Sequence, residues 1–188
     1  NKVLVTGGAG FIGSHLVEYL SKNNKVIVID NLSHGNKLIK PNKNIKLIKG
    51  NVRDYDLINY HSKKCDSIFH LAAILGVDVV SDKNIETMDC EYEGLKNICS
   101  AAKKNKVKKI IYSSSSGVYG QLNYKGNVKE DTIIQPTSAY SMAKRSCEIY
   151  LKYFNKETKI SSIAIRLFNV YGLRQDERMV IPRFIDQA

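Results

Sequence analysis

Long apolar runs are missing from this 188-residue sequence. No stretch approaches the roughly 20 apolar residues of a membrane-spanning helix, and no signal-peptide pattern precedes the first apolar run. A cytoplasmic location without a membrane partner is therefore expected. Cysteine is scarce and scattered: Cys65, Cys90, Cys99 and Cys147 form no Cys-x-x-Cys pair, and the four histidines do not cluster. Such spacing implies neither zinc nor a disulfide framework, so reduced thiols and no bound metal are expected. Internal repeats and low-complexity linkers are also lacking. Acidic residues are few beside basic ones, 18 against 29, for a net charge of +11. The lysines concentrate between residues 37 and 49 and between 103 and 109, mostly at expected turns and helix ends. They lack the interleaved aromatics of a nucleic-acid face, so no nucleic-acid partner is expected. The same field would help an anionic small substrate.

What is present begins at the N-terminal end. Val3-Leu4-Val5-Thr6 is a short apolar run that breaks into Gly7, Gly10 and Gly13. The spacing suits a strand that turns sharply and presents bare N–H groups to a pyrophosphate at the start of a helix. Gly7 permits the turn, Gly10 lets the backbone approach the phosphates, and Gly13 lets the helix pack closely on the strand. Ile12, Leu16, Val17 and Leu20 then recur at helical spacing. A second apolar run, residues 25–29, ends in Asp30. A carboxylate about 20 residues beyond the glycines accepts both ribose hydroxyls and repels a 2′-phosphate. No basic residue follows it directly, since Asn31-Leu32-Ser33 come next. NAD is expected rather than NADP.

Further apolar, β-branched runs lie near 45–48, 68–71, 110–112 and 162–167, with helical patterns clearest at 12–22, 86–105 and 138–155. Alternating strands and helices predict an α/β fold, a doubly wound parallel sheet covered on both faces. Ligand then sits at the carboxyl ends of the strands. The residues following those ends are Gly7, Asp30, Asn51-Val52, His70 to Ala73, Ser113 to Ser116, and Phe168-Asn169. Tyr140 and Lys144 stand four residues apart on a predicted helix, so both project from one face. A phenol is a poor base at neutral pH, but a neighbouring ammonium favours the phenolate. Tyr140 is thus the candidate general base, Lys144 its activator and a hold on the nicotinamide ribose. A hydroxyl from the serine run is the candidate partner of the substrate oxygen.

Together these stretches resemble the extended short-chain dehydrogenases/reductases, in particular the NAD-dependent nucleotide-sugar epimerase/dehydratase family. The resemblance runs from end to end and adds Ser113 to Gly120, Arg166 to Gly172 and Val180 to Ile185. It implies a Rossmann domain over 1–172 and the beginning of an incomplete substrate lobe over 173–188. For NAD it implies contacts from Gly7, Gly10, Phe11, Ile12, Gly13, Asp30, Asn31, Ser33, Asn51, Val52, Leu71, Ala72, Ala73, Ser113, Tyr140, Lys144 and Phe168. Ser115, Tyr140 and Asn169 are implied to meet the substrate, a nucleotide sugar and most readily a UDP-sugar. A homodimer built on the long helices is implied as well, with Ile98, Cys99, Ala102, Cys147, Tyr150, Leu151 and Phe154 as its apolar surface.

Departures from the family pattern narrow the reaction. Ser116-Gly117 stands where 4,6-dehydratases carry an Asp-Glu pair, and Gly117 where decarboxylases of nucleotide-linked glucuronate usually carry Glu. The expected activity is inversion of C4 of a UDP-hexose through a transient 4-keto sugar. Other nucleotide-sugar reactions (decarboxylation, dehydration, reduction) and a redox-silent NAD-binding scaffold are the alternatives. Asn51 replaces a usual aspartate, Glu91 a usual asparagine, Leu75 a lysine common in galactose-type 4-epimerases, and Leu173 a proline.

Overall fold

The computed structural model describes residues 1–33, 39–40, 42–74, 83–121, 126–176 and 179–187; Leu75 lies outside them. In chain order the elements are β1 (Lys2–Thr6), α1 (Phe11–Leu20), β2 (Lys25–Asp30), β3 (Ile45–Lys49), α2 (Tyr55–His61) and β4 (Ser67–His70). There follow α3 (Asn84–Asn105), β5 (Lys109–Ser115), α4 (Ala139–Thr158), β6 (Ser161–Leu167) and α5 (Val180–Gln187). The strands form one sheet in the order β3-β2-β1-β4-β5-β6, and every pairing is parallel. This is the doubly wound Rossmann arrangement, with the order reversing between β1 and β4.

Strand alternation sorts the core into two faces of different size. Leu4, Ile27, Ile29, Ile68, Ile110 and Tyr112 point to the face covered by α2, α3 and α4, where Ile58, Leu95, Ile98 and Leu151 meet them. Val3, Val5, Val26 and Val28 point the other way and pack on Val17 of α1. The smaller valines let α1 lie close to the sheet. Coverage of this second face is incomplete: Ile163 and Ile165 of β6, in register with Ile111 and Ser113, are 47% and 44% exposed. The expected layer on both faces is therefore complete on one face and partial on the other.

The serine run also sits differently from expectation. Ser113, Ser114 and Ser115 are the last three residues of β5 rather than a loop after it. Pairing with Ile165, Arg166 and Leu167 draws them into the sheet. Serine is a weak strand former, and the neighbouring strand overrides that preference. Helix ends are secured locally, with Asp54 accepting from Leu57 N–H at 3.0 Å and Ser138 from Ser141 N–H at 3.1 Å. Among the described residues no helix is long and apolar enough to cross a membrane.

A polar clasp joins α4, β5 and β6. Arg166 grips Glu148 with two nearly parallel bonds, Nε to Oε1 at 2.9 Å and Nη2 to Oε2 at 3.0 Å. Ser114 and Arg145 also donate to this carboxylate, while Arg166 Nη1 reaches the Tyr119 hydroxyl. Burial raises the Glu148 carboxyl, but donors from Arg166, Ser114 and Arg145 outweigh it and hold it below the ordinary carboxylate range. Its stabilising contribution is present above the unfolded carboxylate range and lost as pH falls through the lower folded value. Arg166→Met should cost about 2–4 kcal/mol in denaturant unfolding near neutral pH, because it leaves a nearly buried carboxylate short of donors. The loss should shrink in acid. A cost that does not depend on pH would show that the clasp acts through packing alone.

Candidate active site

The glycine turn is built as a cradle. Gly7 has φ +69, and its N–H donates to Ile29 O at 2.9 Å, tying the turn to the end of β2. A Cβ on Gly7 would lie 2.5 Å from Ala72 N, and one on Gly13 would lie 2.1 Å from Gly7 O. Neither position tolerates a side chain. Gly10 differs: a Cβ there meets only Gly7 O, at 3.4 Å, so its outer side is open. Gly10 also begins α1 with no side-chain cap, which leaves first-turn N–H groups of that helix free to meet an anion. Phe11 is half-buried and Ile12 lies at the surface of the same turn.

Asp30 ends β2 almost buried, at 9% exposure. Its Oδ2 accepts from Ala9 N–H and its Oδ1 from Leu32 N–H, both at 2.9 Å. Each oxygen retains a lone pair, so the carboxylate braces the glycine turn and still has capacity for ribose hydroxyls. Asn31 and Ser33 lie exposed just beyond, joined by an Asn31 Oδ1 bond to Ser33 N–H. Asn51 is exposed, its Oδ1 accepting from Arg53 N–H, whereas the Val52 side chain is buried and faces Gly94 of α3. Leu71, Ala72 and Ala73 run half-buried past Gly7. These groups fit a dinucleotide laid across the switch point.

The candidate catalytic residues lie at β5 and α4. Tyr140 is half-buried in the first turn of α4, and Lys144 one turn on is 1% exposed. Lys144 Nζ donates to Ser113 O at 2.8 Å and stands 5.5 Å from the centre of the Tyr140 ring. It also stands 2.9 Å from Oε1 of Glu91, itself fully buried, as an ion pair without the alignment of a hydrogen bond. Burial pushes the ammonium down, yet Glu91 and Tyr140 outweigh it and hold Lys144 above its ordinary range. The other Glu91 oxygen accepts from Tyr112 O–H at 2.7 Å. Burial, then Glu91, pushes the Tyr112 phenol far up, so it stays protonated as that donor. His70 closes the floor: its Nδ1 meets Thr6 Oγ1 at 2.7 Å, and burial, with Lys144 nearby, takes it down to about 3. It is a neutral imidazole.

The serines divide their duties. Ser113 Oγ donates to His70 O, and Ser114 Oγ is committed to Glu148. Ser115 Oγ accepts from Gly117 N–H at 3.1 Å, capping the 3₁₀ turn Ser116–Tyr119, and its own proton remains free to donate. A Cβ on Gly117 would lie 3.4 Å from Ser115 Oγ and 2.8 Å from Ser141 Oγ, so Gly117 sits between Ser115 and the residue that follows Tyr140. Phe168 and Asn169 follow β6 at the surface, the Phe168 ring 6.3 Å from that of Tyr119.

Ser115, Tyr140 and Lys144 are thus gathered at one end of the sheet, and the glycine turn and Asp30 lie at the carboxyl ends of β1 and β2. Sequence reasoning passed over two residues of this site, Glu91 and Tyr112. The only signal for Glu91 was its departure from the family asparagine, and for Tyr112 its place one residue before the serines. The four cysteines are free, and burial raises each thiol to about 11 or 12, which leaves them unreactive.

The profile of the NAD dependent epimerase/dehydratase family matches residues 3–188. The chain is similar to the UDP-N-acetylglucosamine 4-epimerase of Methanobrevibacter ruminantium M1, solved in complex with UDP-N-acetylmuramic acid. That match has a TM-score of 0.93 and 40% identity, covering 98% of this chain and 61% of the other. It is 37% identical to the UDP-N-acetyl-alpha-D-glucosaminuronate decarboxylase of Bacillus cytotoxicus, over 100% of this chain and 61% of that protein. The dTDP-D-glucose 4,6-dehydratase of Dictyostelium discoideum is 34% identical, over 98% of this chain and 47% of that protein. The chain spans about half to three-fifths of the length of these relatives. With its parallel sheet, glycine cradle and Tyr140/Lys144 pair, the chain belongs to the NAD dependent epimerase/dehydratase family.

Proposed function

We propose that the protein is an NAD-dependent nucleotide-sugar epimerase that inverts C4 of a UDP-hexose. The observation that carries this reading is the placement of buried Lys144 beside Tyr140 with Ser115 at the adjoining strand end. Lys144 is charged, stands beside Tyr140 and has donor capacity beyond its bond to Ser113 O, which suits a group that holds ribose hydroxyls and supports a phenolate. The chemistry a bound NAD supplies is reversible acceptance of a hydride. Tyr140 takes the proton of the sugar 4-hydroxyl as the C4 hydrogen leaves, and gives it back after the 4-keto sugar has turned over and regained the hydride on its other face. Ser115 donates a hydrogen bond to the same oxygen and strengthens it as charge develops. In this reading Asn169 meets the substrate near its diphosphate and Phe168 lines the nicotinamide pocket, roles that the family resemblance suggests.

Gly117 argues for epimerisation over the reactions of the decarboxylase and dehydratase relatives. No carboxylate is present at this turn to protonate a leaving hydroxyl, and Ser141 Oγ crowds the space where a longer side chain would begin. Residues 1–172 form the NAD-binding unit in this reading. Residues 173–188 are assigned to the substrate side, and α5 has no buried residue.

Self-association through α3 and α4 is also proposed; of the apolar surface expected for it, Tyr150 is exposed, while Phe154 is partly buried against the chain's own core. Ile98, Cys99, Ala102, Cys147 and Leu151 are buried in the chain's own core and offer no surface to a partner. Ile85 and Tyr92 on α3, with Met142, Ile149, Tyr150 and Tyr153 on α4, are the large exposed apolar residues of the two helices, which pack side by side. Sedimentation of the natural full-length protein at micromolar concentration should give a dimer. A monomer at those concentrations would remove the proposal.

The mechanism is tested by turnover with a panel of UDP-hexoses. Tyr140→Phe should abolish epimerisation while NAD remains bound, since only a hydroxyl is lost. Ser115→Ala should cost roughly 10²-fold, the scale of one positioned hydrogen bond to the reacting oxygen. Wild-type-like turnover by the Phe variant would sink the mechanism.

A further inference from the structure

The pair beneath the active site is unusual in its degree of burial. Lys144 and Glu91 are 1% and 0% exposed, and their charged atoms stand 2.9 Å apart. Glu91 reaches the site from α3, whereas Lys144 comes from α4. The groups facing the ammonium are Tyr140 and Cys147 on α4, Tyr112 on β5, His70 on β4, and Glu91 with its neighbour Cys90 on α3. His70 is neutral, and burial holds the Tyr112 phenol and the two thiols in their protonated forms. Among these groups Glu91 is therefore the one standing counter-ion. Its own placement is secured by the Tyr112 hydroxyl on Oε2 and by Cys147 Sγ, 3.6 Å from the Glu91 backbone carbonyl. A lysine so buried loses its proton readily once its counter-ion is removed, because desolvation acts on the charged form alone.

We propose that Glu91 is a positioning residue for Lys144, its carboxylate keeping the ammonium charged and fixed beside Tyr140, so that the hold on the cofactor ribose depends on a counter-ion supplied by α3. The proposal rests on the reading of Lys144 as a cofactor contact. A merely structural role for Glu91 predicts something different. Losing a packing contact weakens binding by the same factor at every pH, whereas losing a counter-ion makes binding fall as the exposed weakness of Lys144 titrates.

The experiment uses the natural full-length protein and two readouts. Calorimetric NAD⁺ affinity should be flat from about pH 7 to pH 9.5 in the wild type and fall tenfold or more across that window in Glu91→Gln. Glu91→Asp, which keeps the charge, should restore the flat profile at somewhat lower affinity. Independently, NMR of ¹³Cε/¹⁵Nζ-labelled lysine, with the Lys144 signal assigned by its loss in Lys144→Met, should show its midpoint about two pH units or more lower in Glu91→Gln. A uniform loss of affinity at all pH values, or an unmoved Lys144 midpoint, would overturn the proposal. If the wild type binds no NAD⁺, the cofactor reading fails, and the NMR titration alone decides the role of Glu91. Should Glu91→Gln not fold, the double variant Glu91→Gln/Lys144→Met should recover stability over the single one, because no unpaired charge remains. A double variant no more stable than the single one would equally overturn it.

Discussion

A lysine ammonium taken almost wholly out of water constrains everything around it. Lys144 keeps its charge because Glu91 stands 2.9 Å away and Ser113 O accepts a hydrogen bond from it. Those partners come from α3 and from the end of β5, so a single charged atom ties two helices to the central sheet. The rest of the reactive end follows from that tie. Tyr140 lies one turn before Lys144, whose ammonium donates to Ser113 O near the end of β5, and Ser115 at that strand end caps the 3₁₀ turn that follows. Such pairs are weak sources of stability, since desolvation offsets most of their attraction. Their presence in a core is better understood through what the charge does.

The other end of the crevice obeys a steric rule. β1 is valine-rich toward α1, and the glycines at 7 and 13 occupy positions where a Cβ would strike backbone. Close approach of helix and strand leaves uncapped N–H groups pointing outward at the start of α1. Asp30 serves both sides of this arrangement. It accepts from the turn through Ala9 and from its own loop through Leu32, so the carboxylate is rigid before any ribose arrives.

Much of this was legible from residues alone. Glycine spacing, the acidic end of the second strand and the Tyr140/Lys144 interval are local patterns, and local patterns survive reading one residue at a time. The six strands and three long helices were visible for the same reason. What escaped depended on pairing between distant segments. Ser113–Ser115 read as loop because serine disfavours strands, yet β6 recruits them. The seven-residue α2 is too short to display a helical period. The apolar stripes of α3 and α4 were legible, but a stripe does not say whether it meets its own sheet or another copy, and Ile98, Cys99 and Leu151 meet their own sheet. Glu91 stood out as a departure without a meaning until the fold placed it against Lys144.

The proposed activity is that of a nucleotide-sugar enzyme that retains NAD through each cycle. The measurement that bears on this most directly is mass spectrometry of the small molecules released when the natural full-length protein is purified and denatured. NAD should be released, together with a UDP-linked or other nucleoside-diphosphate sugar. Release of NADP in place of NAD would contradict the role given to Asp30. A preparation of folded protein that releases no dinucleotide and takes none up would contradict the account itself.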